Sequence, residues 1–276
     1  MTDTGVLDLG FRRDSGGRSV LRHHSQRFPL RMTVPFHLDA AVADMAFVYV
    51  QNPTGGVFGG DRLRTSVVAD EGVRVHLTTQ SATKLYRMEG DEARLELDFQ
   101  LGPDAYVEHL PDPLLPQAGS RYRQRTRIEL GAGAAFVAAE TISPGRRARG
   151  ERFAYDLLEL RTEVRRDGRE LCAETLRLEP ARAPLDRAGA LGGWDYLVTL
   201  FAVAPERDAA NLAARLDAAL AVERGVLGAA GELPNGVGAF ARMLAPDAPA
   251  AERALRGAWA VARRVLLGAP LPERRK

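Results

Sequence analysis

Apolar and polar residues alternate with a period of two through the first two thirds of this chain, and no helical pattern interrupts them. The alternation is clear at 73–79 and at 122–130, and it is typical of strands with one buried face. At 158–178 it predicts a hairpin, because Asp167 and Gly168 supply a turn that tolerates positive φ. Strands that follow one another without helices argue against a doubly wound nucleotide-binding fold.

Two helices are predicted near the C-terminus. Segment 206–223 carries leucines four residues apart on an Ala-rich background, and segment 247–267 places its large apolar residues on one face. No linker rich in Pro or Ser divides the chain. We therefore predict a mainly β protein that forms a single domain over residues 1–276, strand-rich at about 18–205 and helix-containing at about 206–268.

Composition excludes several classes of protein. The formal charge of +2 is too small to indicate nucleic acid as the main partner. The single cysteine, Cys172, excludes an internal disulfide framework and every metal site built from several cysteines. No apolar run is long enough to span a membrane, and the N-terminus lacks the pattern of a signal peptide. We expect a soluble, cytoplasmic protein.

A glycine-rich stretch invites comparison with a phosphate-binding loop. A phosphate-binding loop needs Lys and Ser/Thr after its last glycine, followed by a helix. Here the position of that lysine holds a carboxylate that would repel phosphate, and a strand pattern follows. Phosphate binding is therefore not expected at the residues concerned, which are Gly55, Gly56, Gly59, Gly60 and Asp61.

Two further patterns lack the partners that their chemistry needs. Ser81 and Lys84 have the S-x-x-K spacing of Ser/Lys hydrolases, but the companion motifs are absent and the flanking residues indicate strand and turn. The Ser/Lys hydrolase is therefore the least favoured function. The five histidines are dispersed and form no ligand pair, so we expect each, including His76 and His109, at the surface or in a hydrogen bond.

Two carboxylates are predicted to point towards the interior. Glu174 shares a strand face with Cys172 and Leu176, and Glu140 follows the apolar run 134–139. A buried carboxylate must pair with a cation, become neutral or face internal water. A buried Arg–Glu pair and a water-filled site suited to a hydrated divalent cation both remain open at this point.

Six segments of the sequence have an order and a spacing that match one known protein family. They cover roughly residues 18–180 and include Lys84, Tyr86 and Arg87 as well as the glycines named above. The segments are 52–63, 78–87, 110–116, 118–122, 145–151 and 174–178. In this combination the chain resembles the urease accessory proteins called UreD or UreH.

The resemblance implies a fold and a role. Members of this family are mostly β, with a helix-like winding of strands in two layers and a small C-terminal portion of about two helices. They are not enzymes; they join the accessory protein UreF and the GTPase UreG on the urease apoprotein and serve nickel insertion. The implied cargo is Ni²⁺, bound transiently, with no permanently bound cofactor. A pure assembly scaffold without a metal pathway is the alternative.

The resemblance also implies a set of functional residues. By motif position, Asp61, Thr83, Glu140 and Glu174 correspond to polar residues that line an internal nickel passage in the family. Ni²⁺ binds most nitrogen and oxygen sites more tightly than Mn²⁺, Fe²⁺ or Co²⁺ do. A cage of several histidines would therefore trap it, whereas sparse carboxylates and hydroxyls in a wet passage would release it.

A basic loop is a second candidate site. Arg146, Arg147 and Arg149 lie in a loop rich in small residues. A solvated loop is the simpler interpretation. An interface with a partner protein is the more specific one.

Overall fold

The computed structural model describes residues 4–273, and for Glu206 and Arg207 only the backbone. Residues 1–3 and 274–276 of the predicted domain therefore lie outside the described part. The elements, in chain order, are β1 (Gly5–Arg13), β2 (Ser19–Arg27), β3 (Arg31–Met32), β4 (Ala46–Gln51), β5 (Arg62–Ala69), β6 (Arg74–Thr79), β7 (Thr83–Leu85), β8 (Ala93–Leu101), β9 (Tyr106–His109), β10 (Leu114–Pro116), β11 (Arg121–Leu130), β12 (Ala135–Ile142), β13 (Leu157–Arg166), β14 (Arg169–Leu178), β15 (Tyr196–Val203), α1 (Glu206–Ala221), β16 (Leu227–Glu232), β17 (Gly238–Ala245) and α2 (Ala248–Leu266).

From β4 to β13 the chain winds between two sheets. Sheet A has the order β14-β13-β11-β8-β5-β1-β2, and sheet B has the order β16-β17-β15-β12-β9-β6-β4-β3. The strands of successive turns are parallel neighbours, β5, β8, β11 and β13 in sheet A and β4, β6, β9 and β12 in sheet B. The short strands β7 and β10 pair beside them. This stacked winding confirms the predicted β-helix-like, two-layer architecture.

Strand β11 shows how the alternating pattern builds a sheet. Tyr122 and Ile128 are buried between the sheets. The arginines of the other face form ion pairs with carboxylates of neighbouring strands, as Arg127 does with Asp98 at 2.5 Å and Arg125 with Glu163 at 2.9 Å. Opposite charges on adjacent strands stabilise the exposed face of a sheet.

The predicted hairpin is confirmed. Strands β13 and β14 are antiparallel neighbours at the edge of sheet A. Both turn residues have positive φ, 51° at Asp167 and 72° at Gly168, as a two-residue hairpin turn requires.

Both predicted helices are confirmed and cover the outer face of sheet B. Helix α2 begins after Asp247, whose carboxylate accepts a hydrogen bond of 2.8 Å from the amide of Ala250, a favourable N-cap. Its residues Trp259 and Ala262 are buried in one core with Val137 of β12. The core therefore continues from the strands into the helices.

The bounds of the strand-rich portion need correction. It begins at Gly5 with β1, not at about 18. Strand β1 lies beside β5, and its apolar residues Leu7, Leu9 and Phe11 alternate with Asp8, Gly10 and Arg12, so the strand signal was present in the sequence and was overlooked. Strands β16 and β17 lie inside the portion predicted to be helix-containing and extend sheet B between the two helices.

The polar face predicted for β6 is not exposed. His76 and Thr78 are buried, and the His76 ring lies 5.5 Å from the Trp259 ring of α2. The alternation correctly identified a strand. A helix distant in sequence then buried its second face.

Candidate functional site

Four connections of the solenoid lie at the same end of the molecule. Strands β4, β6, β9 and β12 run towards this end in sheet B, and the chain returns from it through β5, β8, β11 and β13 of sheet A. The connections therefore bring together five of the six segments of the resemblance, 52–63, 78–87, 110–116, 118–122 and 145–151. The fold places distant parts of the sequence around one opening.

A cavity of about 130 Å³ lies beneath these connections, between the two sheets. Exposed Gln80 and Ser81 belong to its wall, so it reaches the surface there. Since a buried water needs only about 10–15 Å³ of such volume, the cavity can hold several waters. Apolar side chains such as Leu95 and Phe99 form much of the wall. Its polar groups include Thr79, Thr83, His109, Asp112, Gln124 and Glu140.

Glu140 is the innermost acid of this cavity. It lies on β12, a strand whose residues are all buried, and is itself only 9% exposed. Gln124 Nε2 donates a 3.2 Å hydrogen bond to it. Burial, and secondarily the charge of Glu174, raises the pKa of Glu140 to about 8, and Arg242 and Gln124 offset this only in part. The carboxyl group is therefore mostly neutral at pH 7.

Glu174 has the arginine partner that sequence reasoning left open. It faces sheet B from β14, but its side chain remains 24% exposed and Arg242 Nη2 donates a 2.9 Å hydrogen bond to it. Arg242 belongs to the row Glu140, Thr199 and Arg242, cross-strand neighbours on β12, β15 and β17. Glu174 does not line the cavity itself, and this row connects it to Glu140.

The other two predicted passage residues lie in different surroundings. Thr83, on β7, lines the cavity with Glu140. Asp61 does not; its carboxylate accepts a 2.9 Å hydrogen bond from the amide of Phe58 within the preceding turn. The structure thus brings together Thr83 and Glu140, places Glu174 beyond Arg242, and leaves Asp61 in the loop.

The glycine-rich loop lines the cavity with Gly55 and Gly56. It packs so closely against the neighbouring loop that some of its positions leave no room for a side chain. A Cβ at Gly56 would lie 2.5 Å from both the Lys84 carbonyl oxygen and the Tyr86 ring. Gly55 and Gly60 have positive φ, and Gly59 adjoins Met88. The Phe58 ring stacks on Tyr86 at 4.7 Å. The motif therefore serves close packing of two loops, and a strand follows it, as expected.

The remaining motif residues are exposed. Lys84 and Arg87 are exposed to solvent. Lys84 lies on strand β7, and Ser81 lies two residues before this strand begins. In an extended segment these two side chains do not lie one helical turn apart, as the S-x-x-K arrangement requires.

Two of the three arginines of the basic loop form ion pairs within the chain. Arg146 pairs with Glu151, and Arg147 pairs with Asp195. Arg149 is exposed. The geometry thus leaves Arg149, and the outward side of Arg147, available to a partner.

Sequence reasoning missed His109, which was expected at the surface or in a hydrogen bond. Its ring lies between the sheets, 5.3 Å from the Phe99 ring, and lines the cavity. Burial, with a smaller effect of His76, lowers its pKa to about 4. Within residues 4–273 neither imidazole nitrogen has a hydrogen-bond partner. In the sequence its position two residues after Val107 on a short strand was a weak signal, and its pairing with Leu77 and Ala138 is visible only in the structure.

A second acidic centre lies on the opposite face of sheet B. Glu108 is fully buried and accepts hydrogen bonds from Tyr106 at 2.6 Å, Trp259 at 3.0 Å and Arg263 at 3.0 Å. His76 Nδ1 lies 2.7 Å from its other oxygen. Although burial opposes it, these partners hold the pKa of Glu108 below its usual range. Arg263 also pairs with buried Asp39. This cluster fastens α2 to the strands.

Between residues 4 and 273, no three His, Cys, Asp or Glu side chains lie close enough to hold a metal ion together. The helices of the same part are too short or too polar to cross a membrane.

The fold and the cavity define a β-solenoid protein with a largely apolar cavity between its sheets that contains a few polar side chains and the buried acid Glu140. Comparison with known proteins then assigns it: the family model described as UreD urease accessory protein matches residues 3–276. The chain belongs to the UreD family of urease accessory proteins.

Curated relatives match over nearly the full length. Urease accessory protein UreD 2 of Streptomyces griseus is 40% identical over 99% of this chain and 93% of its own. UreD of Cenarchaeum symbiosum is 35% identical over 99% of this chain and 96% of its own. UreD of Mycolicibacterium gilvum is 37% identical, covering 95% of each. The resemblance inferred from the six segments is confirmed.

Proposed function

We propose that this chain acts in urease maturation as a scaffold and nickel conduit. In this proposal it joins UreF and the GTPase UreG on the urease apoprotein in the cytoplasm, and Ni²⁺ passes through it to the urease active site. The chain itself catalyses no reaction and keeps no cofactor. Family membership supports the accessory role, and the cavity supports the conduit.

The observation that carries the conduit is Glu140. A buried carboxyl group whose hydrogen-bond donor is the Gln124 amide, in a cavity able to hold water, is poorly stabilised as an anion and would be stabilised by a cation. A divalent ion entering the cavity would replace the proton and neutralise the carboxylate. Since water and hydroxyls complete the surroundings, the ion stays partly hydrated and is released readily.

The path beyond Glu140 follows the polar row. Thr199 and Arg242 lead across sheet B towards Glu174. Arg242 would repel a cation while it holds Glu174, so we propose that the Arg242–Glu174 pair opens during transfer. Its partial exposure makes this possible, because an exposed ion pair contributes only about 0–1 kcal/mol.

The pure assembly scaffold is a second candidate, favoured by one observation. Asp61 and Glu174 both have hydrogen-bond partners within the protein, the Phe58 amide and Arg242, which would give them structural roles. In this view the chain would only hold UreF and urease together, through exposed elements such as Arg149, and nickel would reach urease by another path.

Co-expression tests the two functions. Urease is produced with its other accessory proteins and with this chain, without it, or with Glu140→Gln, which keeps the shape of the side chain. We expect nickel-poor, inactive urease without the chain. With Glu140→Gln we expect an assembled complex but reduced nickel in urease, measured by metal analysis.

The outcomes separate the candidates. Normal nickel loading in the absence of the chain would contradict any role in maturation. Full nickel loading with Glu140→Gln would support the pure assembly scaffold and contradict the conduit. Loss of the complex with Glu140→Gln would assign this residue to folding or docking instead.

A further inference from the structure

His109 stands apart from the other polar groups of the cavity. It is the only nitrogen ligand of the imidazole type in a wall whose other donors are carboxyl, hydroxyl and amide groups. Register pairs His109 with Ala138, and Glu140 follows two residues later on the same inward face. The two Cβ atoms are thus roughly 8 Å apart by sheet geometry, a separation that the two side chains can span around one cation.

The choice of donor atoms decides which cation such a site prefers. Carboxylates, hydroxyls and water suit Mg²⁺ and Ca²⁺, whereas imidazole suits Ni²⁺, Cu²⁺ and Zn²⁺. A passage built from oxygen donors alone would be open to Mg²⁺, which is far more abundant in cells. One imidazole shifts the preference towards Ni²⁺ without forming a cage that traps it.

We propose that His109 and Glu140, with water as the remaining ligands, form a transient cation station that selects Ni²⁺ over Mg²⁺. The proposal rests on the conduit function above and adds the residue that determines its specificity. The ring nitrogens of His109 have no hydrogen-bond partner within residues 4–273, and the ring lines the same cavity as Glu140. The Phe99 ring packs beside it, with the two ring centroids 5.3 Å apart.

A spectroscopic titration tests the ligand directly. The purified full chain is titrated with Ni²⁺ in the presence of a large excess of Mg²⁺, and proton NMR is used to observe imidazole signals shifted by the paramagnetic ion. We expect one set of shifted histidine signals in the wild type and in His24→Gln, a variant of an exposed histidine on β2. We expect its loss in both His109→Gln and His109→Leu.

Two results would overturn the proposal. One is shifted histidine signals that persist in the His109 variants. The other is a wild type that binds Ni²⁺ without any histidine signal. Circular dichroism of each variant confirms that it is folded, and His109→Gln keeps a polar group if His109→Leu alters the packing.

An activation assay tests selectivity. Urease apoprotein is activated by the complete accessory complex with limiting Ni²⁺ and increasing Mg²⁺. We expect excess Mg²⁺ to reduce activation by His109→Gln about tenfold more than activation by the wild type. Equal sensitivity to Mg²⁺ would reject the station while impaired activation by Glu140→Gln still supported the conduit. If Glu140→Gln also activates normally, the conduit itself fails.

Discussion

Two buried glutamates on opposite faces of sheet B have opposite chemistry. Glu108 of β9 and Glu140 of β12 lie on neighbouring strands. Glu108 meets four hydrogen-bonding side chains and stays ionised, whereas Glu140 meets one amide and stays mostly protonated. Burial is similar, so the difference lies in the partners.

The comparison distinguishes an acid that holds the fold together from an acid available for function. A fully paired carboxylate in dry packing has no lone pairs left for a ligand. A poorly paired carboxyl group beside a cavity keeps that capacity, at a cost to stability. The cluster around Glu108 is thus structural, and the proposed cation site lies on the cavity side of sheet B.

Removing the arginine that pairs with Glu108 and Asp39 should have the largest effect on stability. Arg263→Met leaves Glu108 and Asp39 buried without their shared guanidinium. We expect the free energy of unfolding to fall by about 3–5 kcal/mol, measured by urea denaturation. Arg264→Met, at the exposed neighbour on α2, should change it by less than about 0.5 kcal/mol. Equal effects of the two variants would contradict the structural role.

Glu140→Gln should instead increase the free energy of unfolding. The folded pKa of about 8 exceeds the ordinary 4.5, so between these values the unfolded chain has lost a proton that the folded chain keeps. Wild-type stability therefore falls as the pH rises from 5 to 8. We expect the variant to gain roughly 2–4 kcal/mol over the wild type across this window.

The control for this prediction is Glu108→Gln. The pKa of Glu108 is lowered, so its stabilising contribution is present at neutral pH and is lost as the pH falls. Glu108→Gln should destabilise the protein most at neutral pH. Denaturation curves at several pH values measure both variants, and a flat difference between Glu140→Gln and the wild type would contradict the neutral acid.

Glu174→Gln should have the smallest effect on stability. Its partner Arg242 is 39% exposed, and solvent screens such a pair, so we expect a loss of about 0.5–1 kcal/mol. Nickel delivery to urease should nevertheless fall, because this carboxylate follows Glu140 along the polar row. A loss of several kcal/mol with normal delivery would place Glu174 with Glu108 among the structural acids.

Local patterns in the sequence predicted local structure well. The helices, the hairpin and the inward direction of Glu140 follow from periodicity and from apolar neighbours. Strand β1 was overlooked although Leu7, Leu9 and Phe11 alternate there with Asp8, Gly10 and Arg12. The buried face of His76 escaped because α2, which covers it, is distant in the chain.

Partners distant in sequence were beyond such patterns. Arg242 reaches Glu174 across 68 positions, and Arg263 reaches Glu108 across 155. Abundant arginine showed that a pair was possible without showing which acid would have one. His109 became a cavity residue only through the stacking of turns and the packing of the two sheets.

The most direct test is a pH titration of the glutamate carboxyl carbons by ¹³C NMR. The account predicts one glutamate with a midpoint near pH 8 that is absent from Glu140→Gln. A wild type in which every glutamate titrates below about pH 6 would contradict it, because Glu140 would then already be ionised before any cation arrives.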